Sequence, residues 1–466
     1  MHFATCNRYD KIIKCNQVRT HFAKRRQAVN TVKFNSEKTL GRIKPMHAVN
    51  NGPARFGGSD NFDAFREAGI PFARTHDASF FAGYGGYHTV DIHAIFPDFD
   101  ADVNDEASYD FACTDKYLSE IDSVGAEVFY RLGTKIEHEV KKYNIFAPKD
   151  PLKWAQICEH IIRHYTEGWA NGFYYKITYW EIWNEPDLDN KCWIGTDEQF
   201  FELYTLTSKH LKACFPDLKI GGPAVTGPKK TYNEMFIKYV SENVGVLDFF
   251  SYHCYGTSPE DYARRIGDIN TLLDKYGIKC EKILNEWNYV KAWSGPDYVY
   301  SIKLHQSSKC AAFVGSVMVT GQESDLDMLM YYDARPNTFW NGMFNTWAEK
   351  CKPYYPFYFF NKLYVMGNET ETVIDGENIY AISAKGESGK KGFFIVAYND
   401  DDDAENEITY KTEISGLSGT CKASFYLTDS KNDGVLIKEE LTSADTYCTI
   451  LTVEKNSLVY IEIEEI

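Results

Sequence analysis

A chain of 466 residues exceeds one ordinary domain and suits a barrel of about 250 residues with a smaller unit attached. Its formal charge of −16 argues against nucleic acid or an anionic membrane surface as a partner. No apolar run approaches the ~20 residues of a spanning helix. Apolar residues make up 44% of the chain, and 33 Tyr and nine Trp supply both a packed core and flat faces that suit sugar rings. The twelve Cys are scattered without a CxxC pair, and Met1 to Cys6 carries no basic-then-apolar leader. Reduced thiols in a cytoplasmic enzyme are therefore expected.

In chain order, residues 1–40 contain strand-like pieces at Lys11-Ile12-Ile13 and from Val29 to Phe34, expected to pack on a later β domain. From 41 to 366 the texture alternates. Predicted strands run over Met46–Asn50, Ile70–His76, Ala126–Arg131, the stretch ending at Glu185, Leu218–Gly221, Leu247–Tyr252, the stretch ending at Glu286, and Met328–Asp333. Predicted helices cover 62–68, 114–123, 150–168, 197–213, 231–243, 259–275, 299–320 and 353–366. Eight strands alternating with helices make a (β/α)8 barrel. A long aromatic loop at 77–113 interrupts it, and loops of that length are commonly functional. Residues 367–466 carry short alternating strands with Gly, Asp and Asn turns and an acidic run at 399–405, which predicts a β-sandwich.

Two of the strands end alike. Lys176 to Leu188 reads Lys-Ile-Thr-Tyr-Trp-Glu-Ile-Trp-Asn-Glu-Pro-Asp-Leu, an aromatic, β-branched strand stopped by Asn184-Glu185-Pro186. Pro186 cannot donate to a ladder and biases Glu185 towards extended backbone. Trp180 and Trp183 are expected to wall the Glu185 carboxyl, raising its pKa as a general acid requires. About a hundred residues on, Lys282 to Asn288 repeats the design, ending in Asn285-Glu286-Trp287. Either motif alone also fits a turn after a strand. Together they suggest the carboxylate pair of a retaining glycosidase, one acid/base and one nucleophile about 5–5.5 Å apart.

Barrel chemistry sits at strand carboxyl ends, which gathers Arg74, His76, Glu185, His253, Glu286 and Asp333 on one face. His76 and His253 also fit core histidines. Trp287, Tyr332 and Trp340 fit sugar platforms and lid packing equally, and Asp333 fits a sugar contact or a cap on the barrel. Asp91 and His93 could reach the site from the long loop. His160 and His164 are one helical turn apart, but lack the glutamate of a zinc-protease helix and read better as an amphipathic barrel helix.

The chain resembles glycoside hydrolase family 39, within clan A, the large clan of retaining (β/α)8 enzymes that includes β-xylosidases and α-L-iduronidases. The resemblance rests on Trp180-Glu181-Ile182-Trp183-Asn184-Glu185-Pro186-Asp187, Ile220-Gly221-Gly222-Pro223-Ala224, Asn285-Glu286-Trp287 and Tyr331-Tyr332-Asp333-Ala334. It covers about residues 40–365. It implies Glu185 as acid/base, Glu286 as nucleophile and Asn184 at the sugar 2-hydroxyl. It places His253 and Tyr255 beside the nucleophile, and Arg74 and His76 near nucleophile and sugar. The implied activity is exo-hydrolysis of short oligosaccharides or glycosides, foremost as a β-xylosidase, with no cofactor and no metal. α-L-Iduronidase, α-L-arabinosidase and β-galactosidase activities are alternatives, as is a non-catalytic carbohydrate-binding protein on the same scaffold. A uronic acid would want a cation in the pocket, and Lys135 and Arg335 are the candidates. A homo-oligomer is left open.

Overall fold

The computed structural model describes residues 30–56, 58–76, 89–227, 229–336 and 340–466. The expected strand at residues 11–13 and the first part of the 77–113 loop lie outside them. The first described strand, β1 (Asn30–Arg42), is followed by eight short ones: β2 (Ala48–Asn50), β3 (Phe72–Arg74), β4 (Glu127–Leu132), β5 (Tyr179–Ile182), β6 (Lys219–Val225), β7 (Phe249–Gly256), β8 (Glu281–Tyr289) and β9 (Met328–Tyr331). These eight, β2 to β9, pair in parallel and close in the order β8-β9-β2-β3-β4-β5-β6-β7.

Side chains on a strand alternate between faces, and that period of two builds the barrel interior in layers. Ala48, Phe72, Phe129, Tyr179, Phe249, Ile283, Met328 and Met330 form one apolar cluster. Two residues further along the strands, the same face presents Asn50, Arg74, Arg131, Glu181, Ser251 and Asn285, all buried. The intervening residues, among them Val49, Ala73, Tyr130, Trp180, Tyr252, Leu284 and Leu329, join the larger core beneath the helices. An apolar plug thus carries a polar layer towards the strand carboxyl ends.

The outer helices are α1 (Phe62–Ala68), α2 (Ala112–Ser123), α3 (Pro151–Glu167), α4 (Asp197–Cys214), α5 (Lys230–Glu242), α6 (Pro259–Lys275), α7 (Gly295–Leu304), α8 (Ser308–Glu323) and α9 (Tyr354–Met366). Local caps set their starts. Asp150 accepts from Lys153 N–H ahead of Pro151, and Thr196 with Gln199 closes a capping box on α4. The single helix expected over 299–320 is two. Ser307 turns its hydroxyl to Cys310 N–H, capping α8 and breaking the run.

His47, next to β2, is fully buried between Phe360 and Tyr364, with Nε2 3.3 Å from Asn361 Oδ1. Burial pushes its pKa from 6.5 down to about 4. Unfolded His47 therefore takes a proton first, so stability present above pH 6.5 is lost as pH falls towards 4. The loss is about 3 kcal/mol. Denaturation curves across that range should show a one-proton slope in the native chain that a His47→Gln variant lacks.

Apart from a small hairpin of Arg55–Phe56 with Ser59–Asp60, the remaining strands are β10 (Asn368–Asp375), β11 (Ile379–Lys385), β12 (Lys391–Ala397), β13 (Glu407–Ser415), β14 (Cys421–Thr428), β15 (Val435–Thr442), β16 (Thr446–Glu454) and β17 (Ser457–Glu465). With β1 they form one nine-stranded sheet, ordered β15-β14-β17-β12-β11-β10-β1-β13-β16. β1 runs antiparallel to β10 and parallel to β13, so a strand before the barrel completes a sheet after it. The sheet folds over an apolar core of its own, bringing Phe425 on β14 within 6.3 Å of Tyr447 on β16 between ring centres. β15 has no counterpart among the expected strands: its apolar residues, Val435, Leu436, Ile437 and Leu441, lie exposed on an edge strand instead of marking a buried face. The barrel meets this sheet through α8 and α9. Gly315 lies against Val396 and Phe394, and Phe359 stacks on Tyr460. Lys309 on α8 is buried and donates to Asp400 and Asp402, which gives the acidic run a docking role.

Candidate active site

The polar layer of the barrel is wired through Arg74. Its Nε donates to Glu181 Oε2 at 2.7 Å, Nη1 to Asn50 Oδ1 at 3.0 Å and to Glu286 Oε1 at 2.9 Å, and Nη2 to Asn184 Oδ1 at 2.7 Å. Glu181 is fully buried and also accepts from Ser251 Oγ at 2.6 Å and from Asn285. One guanidinium between two carboxylates, with Arg74 and Glu181 wholly buried, is a strong electrostatic unit, since hydrogen bonds to charged groups are the stronger kind.

A bulge after Leu284 breaks the alternation of β8 and turns Glu286 to the inner face beside Asn285, with both its oxygens engaged. Arg74 holds Oε1, His76 Nε2 lies 3.4 Å from the same oxygen, and Tyr255 Oη donates to Oε2 at 2.9 Å. Donors on both oxygens favour the ionised carboxylate. Burial and the neighbouring carboxylates raise the Tyr255 hydroxyl far above its usual range, so it stays a donor.

Glu185 reaches the same space by a sharp backbone turn after β5. Trp183 and Glu185 adopt left-handed φ values of 74° and 47°. This costs about 1–3 kcal/mol at each non-glycine residue. The conformation is held from outside, because Glu185 N–H donates to Ala224 O at 2.9 Å, and Ala224 itself has φ 55°. The extended backbone expected from Pro186 is thus overridden by tertiary hydrogen bonding. Gly222 has φ 143°, and a Cβ there would meet Ile182 O at 2.8 Å, so glycine is what lets β6 approach β5 closely.

The two carboxylates meet at one histidine. His253 Nδ1 lies 2.8 Å from Glu185 Oε1 and 3.4 Å from Glu286 Oε2, and the three groups have atoms within 4.8 Å of one another. Burial lowers the His253 pKa, so the imidazole is neutral at neutral pH. Neutral Nδ1 can donate to an ionised Glu185 or accept from a protonated one, according to tautomer. An oxygen of each carboxylate thus lies within 4.8 Å of one on the other, close enough for both to face a single bond. The same three groups also have metal-ligand spacing, but the Arg74 guanidinium on Glu286 opposes a further cation there.

Other expectations need correction. Trp287 is no sugar platform. It is one residue from Glu286, so it faces the opposite way and packs fully buried against Tyr262, Phe313 and Tyr331. Trp180 likewise points outward onto Tyr130, and Trp183 packs on Trp154 and Trp193. Neither walls Glu185, whose Oε2 is instead 3.8 Å from Cys192 Sγ. Asp333 is fully buried and gripped by Arg335, whose Nε donates to Oδ2 at 2.8 Å. Asp91 pairs with Arg131 at 2.7 Å, and His93 lines a groove beyond the barrel mouth. His164 spends both ring nitrogens on Trp169 O and Asp115, and His160 bonds Gln156 O, so both serve helix packing, in line with the amphipathic barrel helix expected there.

Tyr332 and Trp340 do sit together near the site, with ring centres 6.4 Å apart, and Trp340 is 6.1 Å from Tyr255. Trp293 extends this aromatic wall. It lies edge-on to Tyr255 at 5.1 Å and is largely exposed. Sequence reasoning passed over it because it lies in a turn beyond β8. Glu181 was missed too, although its position four residues before Glu185 on the inward face was a signal.

The glycosyl hydrolases family 39 model matches residues 31–291, more than half of the chain. A β-xylosidase of Geobacillus stearothermophilus is 31% identical over 116 residues, which are 24% of this chain and 22% of that protein. The chain thus matches under a quarter of that curated relative's length. Among solved structures, a glucosidase from Croceicoccus marinus superposes with a TM-score of 0.79 at 22% identity, covering 94% of this chain and all of that one. A monomeric β-xylosidase from Caulobacter crescentus CB15 gives 0.72 at 15% identity, again over 94% of this chain and all of the other. At these identities the superpositions speak for the fold, a barrel with a second, mostly antiparallel sheet. With the family model spanning β1 through β8 and both Asn-Glu strand ends, the chain belongs to glycosyl hydrolases family 39.

Proposed function

We propose that this family 39 glycosidase is a retaining exo-enzyme on short oligosaccharides, foremost a β-xylosidase, with Glu185 as acid/base and Glu286 as nucleophile. The observation that carries the reading is the pair of carboxylates sharing His253 Nδ1 at 2.8 and 3.4 Å. Ionised Glu286 attacks the anomeric carbon while Glu185 gives its proton to the leaving oxygen. Glu185 then takes a proton from water, which releases the sugar with its configuration retained. Asn184, oriented by Arg74, bonds the sugar 2-hydroxyl in this reading. Tyr255, Tyr332 and Trp340 supply aromatic surface beside the reacting ring. The matched β-xylosidase supports the choice of sugar.

One of the two candidate cations for a uronic acid substrate is already committed. Arg335 is committed to Asp333 and to Tyr332 Oη, so its charge is already balanced. The test is a panel of nitrophenyl glycosides (β-xyloside, α-L-arabinosides, α-L-iduronide, β-galactoside) with the product anomer followed by NMR. We expect β-xyloside to be the best substrate, with β-xylose as first product. An α first product, or preference for the iduronide, would overturn the mechanism or the sugar respectively. A Glu286→Gln protein that still binds xylosides is expected to have lost turnover, which separates an enzyme from a binding protein.

A further inference from the structure

On the outer surface of the barrel, α3 and α4 bring together three groups of different chemistry. Glu159 on α3 and His210 and Cys214 on α4 offer ligand atoms within 4.8 Å of one another. His210 and Cys214 are four residues apart, so they share one face of α4. His210 Nε2 lies 2.7 Å from Glu159 Oε2 and 4.0 Å from Cys214 Sγ. A tetrahedral zinc with bonds of about 2.0–2.3 Å needs ligand atoms about 3.3–3.7 Å apart, so shifts of about half an ångström bring His210 to that spacing from both neighbours.

The surroundings carry charge of both signs, Arg163 opposing a cation that Glu159 and Glu167 attract. Arg163 Nε donates to the other oxygen of Glu159 at 2.9 Å, orienting that carboxylate as an outer-shell partner orients a metal ligand. The Arg163 charge is shared with Glu167 and the Phe215 ring. Cys214 ends α4, where the last backbone carbonyls favour positive charge. All three groups are half-buried, and His210 also lines an open surface cavity of about 390 Å³ that leads to solvent.

We propose that Glu159, His210 and Cys214 form a three-ligand site for a zinc-class divalent cation, with a solvent molecule as fourth ligand, clamping α3 to α4. Thiolate and imidazole select this class over magnesium or calcium. Binding replaces the Cys214 S–H bond by an S–metal bond and releases that proton to solvent, with no change of oxidation state. The two helices flank β5, so the cation would stiffen the unit that carries Glu185 while touching no reacting atom.

The test is Co(II) titration of the full-length, chelator-treated protein. A thiolate-to-cobalt charge-transfer band in the near ultraviolet should saturate at one equivalent and be displaced by zinc. Cys214→Ser should abolish the band, and His210→Ala should weaken binding about tenfold or more. Zinc should raise the unfolding midpoint of the native chain and not of Cys214→Ser. Cys192→Ser, which removes the thiol beside Glu185, should leave the band intact. Absence of the band, or its survival in Cys214→Ser, would overturn the proposal.

Discussion

Glu286→Ala should bind glycosides without turning them over, whereas Glu185→Ala should slow hydrolysis by about 10²–10⁴-fold. The asymmetry follows from the two roles. Without Glu286 there is no atom to form the glycosyl–enzyme bond. Without Glu185 a good leaving group such as nitrophenolate still departs, because it needs little protonation. The second step then lacks its base, so the covalent intermediate should accumulate on Glu286 and be visible by mass spectrometry of the intact protein. Azide, which needs no deprotonation, should rescue Glu185→Ala and give a glycosyl azide of retained configuration. With Glu286→Ala it should instead enter from the vacated face and give the inverted azide. Equal losses in both variants with no azide product in either would show that the two carboxylates do not divide the chemistry this way.

Glu181→Gln should cost about 3–5 kcal/mol of stability and lower kcat more than tenfold, although Glu181 touches no substrate. The substitution keeps the shape and removes the charge that balances Arg74 at 2.7 Å. Among the described residues Arg74 is then left with Glu286 as its sole charged partner, shifts towards it, and releases Asn184. Replacing both members separates stability from positioning. A Glu181→Leu/Arg74→Met protein removes the unpaired buried charge and should recover part of the lost stability, while turnover stays low. Urea unfolding and kcat measured on the same preparations provide the comparison. A Glu181→Gln protein with native kcat would remove Glu181 from the positioning network.

The barrel was legible in the sequence because its signals are local. Helix 62–68 and helix 259–275 coincide with α1 and α6, since apolar periodicity, Pro259 and the flanking turns all lie within a few residues of one another. Trp287 and Trp180 went astray for a related reason. A strand's alternation says that neighbours face opposite ways, yet it does not say which face is the barrel interior.

By itself the sequence determined that two strands end in Asn-Glu, that eight strands alternate with helices, and that a β-rich unit follows. Tertiary structure alone decided what those glutamates meet. Glu185 takes a left-handed backbone against the local preference before Pro186, because Ala224 O and His253 Nδ1, distant in sequence, hold it there. Arg74, Glu181 and Glu286 become one charge network only when β3, β5 and β8 close around a common axis. β1 joins a sheet whose other strands lie more than three hundred residues later, a pairing that burial of its Val32 and Phe34 drives and that no short window records. Propensity and periodicity act over a turn or a strand. Charge pairing and burial act across the whole fold, and the candidate site is made of those.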